Sequence, residues 1–104
     1  MSWYAHLLQV VGGMLLINAI PHVVQGVSGA PFQSPFAKPP GVGESSPLVN
    51  FYWGFANLAG GIALFHAFAP VDYLGWALFA AGALLIGTQL AWHFGKVRAK
   101  PASR

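Results

Sequence analysis

The chain has no cysteine among its 104 residues, which excludes disulfides, thiolate metal sites and covalent haem attachment. It is also poor in charge. Two residues are acidic and five basic, so that 7% of the sequence is charged, against about 25% in soluble domains. A soluble domain of this length keeps much of its surface in contact with water and needs many polar side chains there, and this chain has too few of them. Of the two acidic residues, Glu44 falls between long apolar runs and Asp72 at the very start of one; without a carboxylate deep inside a span, an ion-coupled pump is disfavoured. The phosphate-binding loop, the nucleophile elbow, the HExxH helix and the dinucleotide fingerprint are all missing. A membrane enzyme therefore ranks behind the two readings developed below.

What fills the chain is apolar: 56% of residues are hydrophobic and the mean hydropathy is +0.58. Three runs, about residues 3–25, 48–69 and 71–94, each hold roughly the 20 residues that cross a hydrocarbon core as a helix. All the charged side chains lie outside them except Asp72, at the very start of the third run. The pattern predicts an all-α integral membrane protein, one transmembrane domain over residues 1–104 with three transmembrane helices. A Pro/Gly-rich connector at 27–47 and a basic tail at 95–104 complete it. Met1 to His6 carries no positive charge and no A-x-A site follows, so the first run reads as a retained helix rather than a signal peptide.

With three crossings, the first connector and the tail share one face, and they carry Lys38, Lys96, Arg98, Lys100 and Arg104. The opposite face receives the N-terminus and Asp72. The positive-inside rule then predicts a multi-pass protein of a bacterial-type inner membrane, N-terminus outside and C-terminus cytoplasmic. Four of the five basic residues crowd the last nine positions, which reads as a topology signal and a contact with membrane lipids, not with nucleic acid. Trp3, Tyr4, Tyr52, Trp53, Tyr73, Trp76 and Trp92 near predicted helix ends suit interfacial anchors.

Punctuation between the runs is clear. Pro21 is expected to kink the last turn of the first helix, which should end by about residue 28. Residues 30–47 hold five prolines and two glycines, which forbid a helix, while Phe32 and Phe36 argue for an ordered segment lying against the membrane surface or tucked into the bundle. Gly41 to Ser46 has the make-up of an anion-cradling turn, but Ser45 or Ser46 as N-cap with Pro47 at N1 accounts for the same residues. Ala69-Pro70-Val71-Asp72 is a tight turn, Asp72 complements the third helix's N-terminal dipole, and helices two and three are expected to form an antiparallel hairpin.

Two residue sets are candidates for function. Small residues, where helices approach closely in lipid, are placed at Gly12 and Gly13, at Gly60 among Ala56, Ala59, Ala63 and Ala67, and on a ridge of Ala83, Gly87, Ala91 and Gly95 with Gly75 and Gly82 beside it. They serve internal packing or docking on another chain. The second set is polar. Asn18, His22 and Gln25 share a face of the first helix, as do Gln89, His93 and Lys96 on the third, and Asn50 and Asn57 lie on one side of the second. These fall in one leaflet and should meet one another rather than lipid. Asn18, His22, Asn50, Asn57, Gln89 and His93 therefore form either interhelical hydrogen-bond glue or the lining of a ligand-holding vestibule.

The four histidines fall at two depths, His6 and His66 against His22 and His93, as for stacked haems. However, His6 and His22 differ by about 160° around their helix at 100° per residue, so both cannot face one bundle centre. Interfacial hydrogen bonding accounts for them, and neither metal nor cofactor is expected. The reading that follows is a non-catalytic subunit or interaction partner of a membrane assembly, as a homo-oligomer or within a larger complex. The alternative is a small oligomeric transporter or channel with a polar cytoplasm-facing vestibule.

Overall fold

A computed structural model describes residues 1–99; Lys100 and Arg104 of the expected basic tail lie outside the described residues. The chain order is α1 (Trp3–Val27), β1 (Phe32–Gln33), β2 (Glu44–Ser45), α2 (Pro47–Ala67) and α3 (Tyr73–Ala99). All three helices are long and apolar enough to cross a membrane.

Local chemistry sets each boundary. Helix α1 continues six residues past Pro21, whose missing N–H frees one carbonyl without ending the helix. It stops in a Schellman motif: Gly29 takes φ 75°, with Gly29 N–H bonded to Gly26 O at 3.1 Å and Ala30 N–H to Gln25 O at 2.9 Å. Ser46 caps α2 by accepting from Val49 N–H at 3.2 Å, and Pro47 follows it at the helix start. Asp72 Oδ1 accepts from Gly75 N–H at 2.9 Å and closes the N-terminus of α3.

Two expectations are corrected. Helix α3 runs to Ala99 rather than stopping near 94, so Gly95, Lys96, Val97 and Arg98 are helical and not tail. Hydropathy ends where charge begins, but charge does not stop a helix, and a single glycine such as Gly95 is tolerated within one. Helices α2 and α3 are also not a closely packed hairpin. Both pack along α1, which lies between them, and α2 meets α3 through Phe65 against Trp76 and Phe79, with ring centroids 5.9 and 5.0 Å apart.

Small residues explain why α1 takes the centre. Ala5, Gly12, Ala19 and Gly26 recur every seventh position on α1, and all but the half-buried Gly26 are buried. A seven-residue repeat keeps one seam facing a partner helix. Gly54 and Gly61 repeat that spacing on α2, and Gly75 and Gly82 on α3. A methyl on Gly54 would lie 2.7 Å from Val23 N, and one on Gly26 2.6 Å from Phe51 N, so α1 and α2 touch backbone to backbone. One on Gly13 would meet Phe79 O, and one on Gly82 would meet Val10 O; α1 and α3 touch in the same way, running parallel.

Of the expected packing residues, Gly12 and Gly13 sit in these contacts. Gly60 is only grazed by Leu15 Cδ1, 3.4 Å from a would-be methyl. Ala83 N lies 3.0 Å from the methyl position of Gly13, Gly87 has ordinary contact with Ile17, and Ala91 is exposed. The ridge therefore meets α1 at its Ala83 end and departs from it towards Ala91.

Candidate functional site

Polar chemistry concentrates where the connector returns to the helices. Residues 32–33 and 44–45 form a short antiparallel ladder, Phe32 opposite Ser45 and Gln33 opposite Glu44. The intervening chain turns back through Gly41, at φ 74°, whose N–H bonds Ser34 O at 2.9 Å. Ser34 Oγ pairs with Ser45 Oγ at 2.6 Å and accepts from Phe36 N–H at 3.1 Å. The connector is thus a folded flap.

Asn50, fully buried, fastens that flap. Its Nδ2 lies 2.9 Å from Phe32 O, 3.1 Å from Ser45 O and 3.2 Å from Ser46 O. Three carbonyls around one atom identify it as the amide nitrogen. Asn50 Oδ1 must then be the acceptor facing His22, so His22 Nδ1–H donates to it across 2.7 Å. His22 is itself 2% exposed and stands edge-on to Phe32 and Trp53, with centroids 5.5 and 6.4 Å away. One side chain from α1 and one from α2 therefore grip both ends of the connector.

The third helix holds the flap from the other side. His93 Nε2–H donates to Gly41 O at 2.8 Å, Phe94 packs on Phe32 with centroids 4.8 Å apart, and the Arg98 guanidinium lies 5.3 Å from the Phe32 ring centre. Deeper along α1, Asn18 Nδ2–H donates to Asn57 Oδ1 at 3.0 Å, and Asn57 Nδ2–H returns to Trp53 O, one turn back on its own helix, at 2.8 Å.

The six polar candidates thus fall into three groups. His22 with Asn50 and Asn18 with Asn57 are two bonded pairs. His93 joins the clasp through a backbone carbonyl. Gln89 stands apart, exposed on the outer surface of α3 in a groove with Leu84, Leu85, Thr88 and Trp92. Helical spacing places Gln89 and His93 on one side of α3, but that side is wide enough for one to meet the flap and the other to face outwards.

A further polar site at the opposite end of the bundle was not singled out from the sequence. Gln9, 1% exposed, donates from Nε2 to Phe68 O at 3.0 Å and accepts at Oε1 from His6 Nδ1–H at 3.1 Å. It joins the start of α1 to the end of α2. The signal was available: an amide in the apolar first half of α1, flanked by Ala5 and Gly12 of the heptad seam. Among the described residues no three His, Asp or Glu side chains come together as a metal site; His66 is exposed on α2.

Within the flap, Gln33 is 5% exposed and its Oε1 is buried with no hydrogen-bond partner. An unsatisfied buried acceptor costs on the order of 1–3 kcal/mol. Gln33→Met, which keeps the length and removes the amide, is expected to leave the thermal midpoint unchanged or raise it by the equivalent of ~1 kcal/mol. A fall of similar size on thermal denaturation in detergent would show that the amide stabilises the flap.

Compared with protein-family models, with curated proteins and with solved structures, the chain matches none.

Proposed function

We propose that this chain is a non-catalytic subunit or interaction partner of a membrane assembly, inserted in an inner membrane with its N-terminus outside and its C-terminus cytoplasmic. The observation that carries this reading is the outer face of α2. Ala56, Ala59, Ala63 and Ala67 are all exposed along it, and Ala59 and Ala63 floor a groove between Phe55, Leu58, Ile62 and His66. Helix α1 occupies the opposite side of α2, so the described residues supply no helix for this groove. Small residues let another helix come close enough for dispersion to hold it, the main attraction between helices in lipid. An exposed imidazole at the end of the same groove gains from a partner's polar group. The proposed orientation rests on the one-sided placement of the basic residues.

The transporter alternative requires free polar groups around a vestibule. Asn18, Asn57, His22 and Asn50 are instead bonded to each other and to the flap, which weighs against it. The test is native mass spectrometry after extraction in mild detergent. The chain is expected to leave the membrane with a second copy or a larger membrane protein. Ala63→Trp, which fills the groove, is expected to release it as a monomer without lowering its thermal midpoint. A wild-type chain that emerges as a monomer would remove the basis for the proposal.

A further inference from the structure

Independently of what covers α2, we infer that the wedge between α1 and α3 at the connector end binds one acyl chain of an anionic phospholipid, whose phosphate pairs with Arg98. The two helices are in backbone contact at Gly13 and Gly82 and then separate. A methyl on Gly87 would still lie 3.5 Å from Ile17, whereas one on Gly95 would find no atom of the described residues within 4 Å. The opening is a groove of about 380 Å³, floored by Gly87, Ala91 and Gly95 and walled by Ile20, Phe32 and Phe94.

Three properties of the groove select the occupant. Its lining is carbon except at the mouth, where Arg98 closes the series of lining residues. Gly87 to Arg98 covers about 16 Å of helix at 1.5 Å per residue, close to half of a ~30 Å hydrocarbon core. A chain lying along it would reach the bilayer midplane with its headgroup beside Arg98. The groove also tapers shut at Gly87. A helix about 10 Å across cannot enter a wedge closed at one end, but a single hydrocarbon chain can. The guanidinium is held over the Phe32 ring, which fixes the positive charge at the rim rather than leaving it to range over the surface. A phosphate accepts from such a guanidinium by paired hydrogen bonds.

The experiment uses the whole chain, delipidated in mild detergent and titrated with phosphatidylglycerol, phosphatidylcholine of the same chains, a short-chain phosphatidylglycerol, or inorganic phosphate. Binding is read by native mass spectrometry and by thermal midpoint. Phosphatidylglycerol is expected to be retained and to raise the midpoint. Phosphatidylcholine should be retained about fivefold less well, the factor that accompanies ~1 kcal/mol for one basic residue at an anionic surface. The short-chain lipid and inorganic phosphate should do neither. Arg98→Gln should abolish the preference for phosphatidylglycerol but keep the response to long chains. Gly95→Leu and Ala91→Leu, which fill the wedge, should abolish retention. Equal retention of the two long-chain lipids by the wild type overturns the proposal, as does unchanged retention by Gly95→Leu. A shift of Gly95→Leu from oligomer to monomer also overturns it, because a protein helix would then be the occupant. Should Gly95→Leu fail to fold, the Arg98→Gln comparison decides on its own, since Arg98 is exposed.

Discussion

Asn50→Leu is expected to destabilise the protein by about 3 kcal/mol, more than any other single polar substitution in the chain. Leucine has as many side-chain heavy atoms as asparagine, so no cavity is left; the loss is one of hydrogen bonds, with some crowding added by the bulkier methyl groups. It strands the His22 Nδ1–H donor and removes the amide N–H bonds to the carbonyls of Phe32 and Ser45, whereas Ser46 O keeps the backbone N–H of residue 50 at 3.0 Å. Each unsatisfied buried group costs on the order of 1–3 kcal/mol, and some relief comes from water where residues 45 and 46 reach the surface. Asn57→Leu should cost only ~1 kcal/mol, the usual scale of one side-chain bond between membrane helices. The two variants should differ in kind as well as degree. Loss of Asn50 unfastens the flap, so limited proteolysis within residues 34–43 should accelerate while the helices stay protected. Equal midpoints for the two variants and an unchanged cleavage rate would mean that Asn50 does not fasten the connector.

The second large effect is expected at Gly82. A Cβ there runs into the carbonyl oxygen of Val10 and crowds Met14 N at 3.2 Å; neither atom belongs to a side chain that can turn away. Gly82→Leu must therefore push α3 from α1. Overpacking of this kind usually costs about 1–3 kcal/mol and more when backbone has to move, and no hydrophobic gain in lipid offsets it. Since α1 is the long-range partner of α3, the expected result is a chain that inserts but exposes α3, with a midpoint lowered by at least ~3 kcal/mol and faster cleavage beyond Asp72. Gly87→Ala is the matched control, since its methyl meets only Ile17 Cγ2 at ordinary distance, and it should behave like the wild type. If Gly82→Leu matched that control, the close α1–α3 crossing would be wrong.

The contrast between Gly82 and Gly87 shows how far the sequence could be read. Helix existence followed from apolar length, and Ser46, Pro47 and Asp72 marked helix starts through chemistry confined to a few neighbouring residues. Asn18, His22, Asn50 and Asn57 were legible because unpaired polar groups in hydrocarbon are costly. Which helix each face meets was not. A four-residue count of small residues put Gly87 and Ala91 in the contact, whereas the seven-residue series through Gly12, Ala19, Gly54, Gly61, Gly75 and Gly82 lies in it. The shorter count follows one helix surface, while the longer one tracks a seam between two helices. The ladder of residues 32–33 with 44–45 left no periodic signal, being only two residues long on each side. The partner of His93 is a backbone carbonyl, which no side-chain pattern announces.

The central place of α1 bears on how the protein is made. Translation delivers α1 before α2 and α3, so each of those two finds its main partner already in the bilayer. The flap has to fold only after α2 has brought Asn50 to His22, and His93, from the last helix to appear, then seals it from outside. Assembly can thus proceed in the order of synthesis, each step resting on contacts completed before it.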